Sequence, residues 1–387
     1  MINALAIANY RSIRQMVLPL GRLNVVTGAN GSGKSNLYRA LRLLSDTARG
    51  GVVASLAREG GFASTLWAGP ETISRRMKTG EVPVQGGPRR ERVGLRLGFC
   101  DDAVGYSIDI GLPEPGSSPF KKDPEIKREC IFAAPVFRQA SLLVDRRNTF
   151  VKLREESGEW SMLTQHLQSF DTMLSELSDP KRAPEITTVR DTVRSWRFYD
   201  HFRADLDAPA RQAGAPTRTP VLAADGRDLA AAIATIRWVG DRAALEEVID
   251  DAFPGATVGT AGDDERLEVA FSQPGLLRPL SAAELSDGTL RYLLWAAALL
   301  TPRPPPLMVL NEPETSLHPD LLPALGRLIR RAARDTQVWV VSHASRLIAA
   351  LEEDPDCNAV ELDKTLGESV VKSAGSLAEP AWKWPER

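Results

Sequence analysis

The sequence is short of cysteine. Only three occur in 387 residues, at positions 100, 130 and 357. They are far apart, odd in number and without zinc spacing, so a disulfide framework and a structural zinc site are both excluded; inert thiols in a reducing cytosol are expected. No one sign of charge dominates. Net charge is −2 and the pI is about 6.2, so no overall basic field advertises nucleic acid, and only a local basic patch remains open. No long hydrophobic run exists: the most apolar stretch, Leu290–Leu300, carries Arg291 and falls short of the roughly 18 residues of a membrane span. The opening Met-Ile-Asn-Ala-Leu lacks a basic region and a cleavage site, so no signal peptide is expected. Internal repeats and sustained heptads are missing, which excludes a long coiled coil. The expectation is a cytoplasmic protein that meets a membrane only through a partner. At 43% hydrophobic the composition is ordinary for a globular chain. The length suits one large domain or a core with an inserted lobe.

Hydropathy patterning outlines the elements. Residues 3–27 read as short strands and turns, and the last, with its Leu-Asn-Val-Val core, runs straight into a glycine-rich loop. Leu37, Leu41 and Leu44 then recur at helical spacing over 35–44. Residues 79–90 are a Gly- and Pro-rich loop. Alternation over 92–99 and 104–110 predicts antiparallel strands, and strand character continues at 126–133, 141–144 and 150–154. Residues 164–203 read as helical with a break at 180–184, and 208–226 as a connector. Helices are predicted at 228–238, 243–253, within 279–300 and at 321–333. Strands are predicted at 256–260, 267–271, 307–310 and 337–341.

Four motifs carry chemistry. Residues 28–35 read Gly-Ala-Asn-Gly-Ser-Gly-Lys-Ser, a phosphate-binding loop between strand and helix. Gly28, Gly31 and Gly33 permit a backbone path that points N–H groups at phosphate oxygens. The helix beginning near Lys34 adds its positive end, Lys34 a mobile cation, and Ser35 a hydroxyl for Mg²⁺. By composition alone such a pattern arises in roughly one chain in a hundred of this length. The second motif, Leu307-Met-Val-Leu-Asn-Glu-Pro-Glu314, is an apolar strand ending in acidic residues, with Glu312 the candidate base for water. Asn311 stands where most such motifs place Asp; its amide offers an oxygen but no charge. The third, Glu284-Leu-Ser-Asp-Gly-Thr289, opens an apolar helix and reads either as an ordinary N-cap or as an anion nest that caps a phosphate held by a second chain. The fourth is Val338-Trp-Val-Val-Ser-His343, a buried strand ending in a lone histidine at the edge where α/β sheets bind ligands.

In this order the motifs resemble the ATP-binding-cassette ATPases and, more narrowly, the RecF/SMC/OLD-like branch of predicted AAA-type ATPases. The resemblance rests on Ile7-Ala-Asn-Tyr-Arg-Ser-Ile13, on the loop and its following Asn36-Leu37, on Asn311-Glu-Pro-Glu-Thr-Ser-Leu-His-Pro319, and on Leu285-Ser-Asp-Gly-Thr289. It covers residues 1–50 and 278–350. It implies an α/β P-loop NTPase fold: an ABC-type ATPase head with an antiparallel β-subdomain and a helical insertion. The implied organisation is an N-terminal lobe at 1–160, a helical insertion at 161–255 and a C-terminal lobe at 256–387. It implies ATP and Mg²⁺ as cofactors. Gly28, Asn30, Gly31, Ser32, Gly33, Lys34, Ser35 and Asn36 would hold the nucleotide, with Ser286 and Gly288 reaching the γ-phosphate bound by a partner chain. Ser35, Asn311 and Gln139 would serve the metal, Gln139 standing for a glutamine the family keeps at a lobe junction. Glu312 would be the catalytic glutamate and His343 the switch histidine. Tyr10 or Arg11 would lie near the base or phosphates. No TOPRIM-type acidic cluster and no coiled-coil arm are seen.

The implied function is ATP hydrolysis by a homodimer that closes around two ATP molecules and drives a DNA-related process, in repair or anti-phage defence. The alternative is an ATP-sensing switch with little turnover that controls an effector protein from a neighbouring gene. DNA is a candidate partner through the basic clusters Arg75-Arg76-Met-Lys78, Arg89-Arg90-Glu-Arg92, Lys121-Lys122 and Arg146-Arg147, each of which reads equally as a solvated face.

Overall fold

The computed structural model describes residues 1–86, 94–114, 119–373 and 380–387; the Arg89-Arg90-Glu-Arg92 cluster lies outside them. The chain divides into two compact units. One takes residues 1–21, 27–196 and 360–387, the other 22–26 and 197–359.

The first unit is built on an eight-stranded sheet. Its order is Ile13–Pro19, Ala4–Tyr10, Leu95–Cys100, Val104–Gly111, Glu125–Ala133, Leu142–Arg147, Phe150–Arg154 and Trp160–Thr164. Neighbours pair antiparallel throughout, as the alternating sequence predicts. The helix Lys34–Thr47 packs on this unit with the apolar stripe Leu37, Leu41 and Leu44 fully buried. A C-terminal hairpin, Cys357–Thr365 with Glu368–Ser373, joins the unit from Val360 onward. Neither hairpin strand, nor the edge strand Trp160–Thr164, is among the sequence expectations.

One basic cluster is corrected here. Arg146 does not face solvent. In Leu142–Arg147 the alternate residues Leu142, Val144 and Arg146 are buried, and Arg146 is fully enclosed. Its Nη1 donates to Glu129 Oε2 at 3.0 Å, Nη2 to the Gln168 carbonyl at 2.8 Å and Nε to the Asn148 carbonyl at 2.8 Å. Glu129 also accepts from Tyr106 Oη and the Met173 N–H. A buried charge survives only when paired and hydrogen-bonded, so this arginine is committed to the interior. Arg147 is exposed and pairs with Asp145.

The second unit carries a parallel sheet: Arg197–Tyr199, Leu307–Asn311, Gln337–Val341 and the first part of Leu23–Gly28 stand side by side in that order. The continuous apolar runs of the inner strands follow from burial on both faces; residues 338 to 341 are all but inaccessible. The helices of this unit are Leu229–Val239, Arg242–Ala252, Asp287–Leu299, Leu322–Ala332 and Ser345–Glu352. A small antiparallel sheet, Thr257–Gly262, Leu267–Ser272 and Leu280–Ser281, completes it. Asp287–Leu299 is apolar nearly all round because it is buried nearly all round: every residue from Leu290 to Leu299 is buried. Trp295 meets Phe202 edge-on with ring centroids 4.8 Å apart, and Arg291 is kept inside by donating Nε to the Phe202 carbonyl. The strand Arg197–Tyr199 falls in a stretch read as helical from sequence. At three residues it is too short to show a period.

All three thiols lack a disulfide. Burial pushes Cys100 up to about 11 and Cys357 up to about 12, and raises Cys130 further, which keeps them protonated at neutral pH.

Candidate functional site

The glycine loop belongs to the first unit. Gly28, Gly31 and Gly33 have φ of 138°, 82° and 111°, values that L side chains rarely adopt. At Gly33 there is also no room: a Cβ would stand 2.0 Å from Ser369 Oγ. The loop feeds Lys34–Thr47, whose N-terminus has no side-chain cap and no acidic residue in its first turn. Its orphan N–H groups and positive end are therefore uncompensated, the condition that suits phosphate. Lys34 is buried, and its Nζ donates to the Gly28 carbonyl at 2.6 Å and the Ala29 carbonyl at 3.2 Å. The ammonium thus stands over the loop it serves. Asn30, Gly31 and Ser35 are exposed, which leaves the Ser35 hydroxyl open to a metal. These groups fit a nucleotide polyphosphate.

Serines invisible to motif reasoning hold the loop in place. Ser369 Oγ donates to the Ser32 carbonyl at 2.6 Å and meets Ser12 Oγ at 2.7 Å. Asn36 Nδ2 donates to the same Ser12 Oγ at 2.7 Å, so its amide braces the loop from behind. Ser32 Oγ is buried without a partner. Tyr10 and Arg11 are both turned to Glu59: Tyr10 Oη donates at 2.8 Å, and Arg11 at 2.6 Å. Burial, then the Glu59 charge, raises the Tyr10 hydroxyl well above its ordinary value. Gln139 lies exposed on a 3₁₀ turn that leads into Leu142–Arg147.

The acidic and switch motifs belong to the second unit. Register puts Asn311 opposite Val341, and Val341 opposite Val26, two residues before Gly28. The acidic strand, the switch strand and the strand entering the glycine loop therefore end in one row, at the carboxyl edge of a parallel sheet. Glu312 follows Asn311 with φ of 51°, a sparsely populated conformation for a non-glycine residue. Its N–H donates to the Val341 carbonyl at 2.8 Å, and the Ser342 N–H donates to the Val26 carbonyl at 3.2 Å.

Glu314 is the residue sequence reasoning missed. It is buried, and its Oε1 accepts from Ser342 Oγ at 2.7 Å, the His343 N–H at 2.9 Å and the Ala344 N–H at 3.2 Å. His343 Nδ1 stands 3.3 Å from the same oxygen, with most of the ring exposed. Glu314 thus locks the acidic turn to the switch strand and orients the histidine. Its Oε2 is buried with no partner. A second carboxylate two residues past Glu312, at the end of an apolar strand, is the sequence signal that could have flagged it.

The third motif sits in the same unit. Ser286 caps Asp287–Leu299: its Oγ accepts from the Thr289 N–H at 3.2 Å and meets Thr289 Oγ1 at 2.8 Å. It is exposed, and Gly288 lies beside the turn after the acidic strand, where a Cβ would stand 3.8 Å from the Ser316 carbonyl. Buried Arg211, from the stretch read as a connector, staples this loop. It donates to the Ala282 carbonyl at 2.7 Å, the Leu285 carbonyl at 2.8 Å, Asp287 Oδ1 at 2.8 Å and the Ala204 carbonyl at 2.8 Å.

Residues 23–349 match a family described as "AAA domain, putative AbiEii toxin, Type IV TA system". The chain belongs to this family. Among solved structures it is similar to "Crystal structure of the SmcHead bound to the C-winged helix domain of ScpA", at 14% identity and a TM-score of 0.53, covering 97% of this chain and 98% of that one. The SMC head domain from Thermotoga maritima aligns at 15% identity and a TM-score of 0.46 over 96% of this chain and 97% of that one. A Pyrococcus furiosus Smc head aligns at 13% and 0.49 over 96% and 95%. No curated protein matches. The fold is thus an α/β ABC-ATPase-like head with an antiparallel β-sheet subdomain and helical insertions. The chain carries an AAA domain, and family membership implies ATP binding. Among the described residues no helix is long and apolar enough to cross a membrane.

Proposed function

We propose that the chain hydrolyses ATP and pairs with a second copy of itself around two ATP molecules, as a member of the RecF/SMC/OLD-like branch. The observation that carries this reading is the register row: Asn311, Val341 and Val26 stand in line, and the acidic, histidine and glycine-loop motifs each follow one of those strand ends. Lys34 and the N–H groups of residues 28–34 hold the phosphates, and Ser35 offers its hydroxyl to Mg²⁺. Mg²⁺ held there would supply positive charge to neutralise the phosphates. Glu312, fixed by its bond to Val341, takes the proton of the attacking water. His343, oriented by Glu314, senses the γ-phosphate. Ser286 and Gly288, at an exposed loop held by Arg211, cap the nucleotide of the partner copy. ATP closes the dimer and its hydrolysis opens it, so the interface is the element that the γ-phosphate biases.

The test is the oligomeric state of the Glu312→Gln variant with and without Mg²⁺-ATP. The expected result is an ATP-dependent dimer that is lost when Ser286→Arg is added. No ATP-dependent dimer, with turnover indifferent to Ser286→Arg, contradicts the mechanism.

A second reading is favoured by Asn311, which withholds a charge from the metal position: an ATP-sensing switch with little turnover that governs an effector. The family description, which names a toxin, supports an effector-linked output. A DNA-linked output has exposed basic groups at Arg75, Arg76, Lys121 and Lys122 to draw on. A steep fall of DNA affinity with salt would support it.

A further inference from the structure

We infer that Asp200 supplies, from the neighbouring strand, the negative charge that Asn311 withholds from the metal position. The inference rests on the ATPase reading above and names a residue that no motif pointed to.

Arg197–Tyr199 pairs parallel with the acidic strand, Phe198 opposite Val309 and Tyr199 opposite Leu310. The next step of that register sets Asp200 beside Asn311, at the same carboxyl edge. The side chains meet there: Asn311 Nδ2 points at Asp200 Oδ1 across 3.5 Å, a long hydrogen bond. That donation turns the amide so that Asn311 Oδ1 remains an acceptor for a metal-bound water. An amide and an acid thus stand at two adjacent strand ends, with the charge one strand spacing from Asn311.

Asp200 is also held still. Tyr199 is fully buried and its Oη donates to the Leu222 carbonyl at 3.0 Å. Phe202 packs on Trp295, and its carbonyl accepts from Arg291 at 3.1 Å. Asp200 therefore lies between two pinned residues, the support a metal-directed carboxylate requires. Glu314 Oε1 is saturated by Ser342, His343 and Ala344, and Glu312 is assigned to water. Glu314 Oε2 is buried and an acceptor short of a donor. Among the described residues no group of three or more His, Cys, Asp or Glu forms a metal cage. Mg²⁺ does not ask for one, since it keeps several waters and takes one or two carboxylates together with the phosphates.

The test reads metal and nucleotide binding rather than turnover. A fluorescent ATP analogue is titrated in EDTA and in Mg²⁺, and Mn²⁺ binding in the presence of a non-hydrolysable ATP analogue is followed by EPR. Four proteins are compared: the unaltered chain, Asp200→Asn, Asn311→Asp and the double exchange. Asp200→Asn is expected to lose about 10–100-fold of the metal-dependent gain in affinity while binding the analogue unchanged in EDTA. The double exchange, which returns the charge to the acidic strand, is expected to recover most of that loss. A merely structural Asp200 would not be rescued from position 311. Equal Mn²⁺ binding by Asp200→Asn and the unaltered chain, with analogue binding in EDTA intact, overturns the inference and leaves the glycine-loop reading standing. Failure of the unaltered chain to bind the analogue in EDTA and in Mg²⁺ removes both. If Asp200→Asn melts early, Asp200→Ser takes its place in the same titrations: weaker Mn²⁺ binding with analogue binding in EDTA intact supports the inference, and Mn²⁺ binding equal to that of the unaltered chain contradicts it.

Discussion

The glycine loop and the acidic–switch edge are built in opposite ways. The loop is made of backbone. Its shape comes from three glycines at positive φ, and its charge from an uncapped helix end and Lys34. The edge is made of side chains. Glu314 gathers Ser342, His343 and Ala344, Arg211 gathers the carbonyls of the Ser286 loop, and Asn311 leans on Asp200. Backbone sites are brittle to any added atom. Side-chain sites fail only when a particular acceptor or donor goes, and a conservative exchange can rescue them.

The largest effect should come from adding one methyl to the loop. Gly33→Ala places a Cβ 2.0 Å from Ser369 Oγ at a φ of 111°. Calorimetric titration should show no ATP binding, with the melting temperature lowered. Adding Ser369→Gly should recover part of the stability but not the binding, because the φ penalty remains. Full binding by Gly33→Ala would break the contrast between backbone and side-chain construction.

Next is Glu314→Ala, which strands the Ser342 O–H and the His343 N–H, while the Ala344 N–H keeps its bond to Ser342 Oγ. At about 1–3 kcal/mol for each buried unsatisfied group, the chain should lose about 3 kcal/mol by urea unfolding. Glu314→Gln keeps an acceptor and should lose about half of that. Equal losses in the two variants would mean that the volume of the side chain, not its oxygen, holds the turn.

The same contrast decides what was legible in the sequence. A backbone site writes itself into composition and spacing, so residues 28–35 and the helix after them can be read directly. The strand at 307–311 and the one at 337–341 are equally plain, because a strand buried on both faces is a continuous apolar run. Arg146 was legible too: it shares the period-2 face of Leu142 and Val144, and the neighbouring basic residue obscured that. Asp200 and Arg211 were not legible. Their roles come from a three-residue strand and a connector whose meaning exists only once distant segments are paired. Ser12 and Ser369 are farther still, 357 positions apart in sequence and 2.7 Å apart in space.

The central claim is that ATP held by the glycine loop is hydrolysed through Glu312. The most direct measurement is the rate of phosphate release by Glu312→Gln, set beside its affinity for ATP. The account predicts affinity within a few-fold of the unaltered chain and a rate lower by about 100–10,000-fold. An unchanged rate, or an unaltered chain that binds ATP tightly and releases phosphate no faster than background, would contradict it and leave the switch reading in its place.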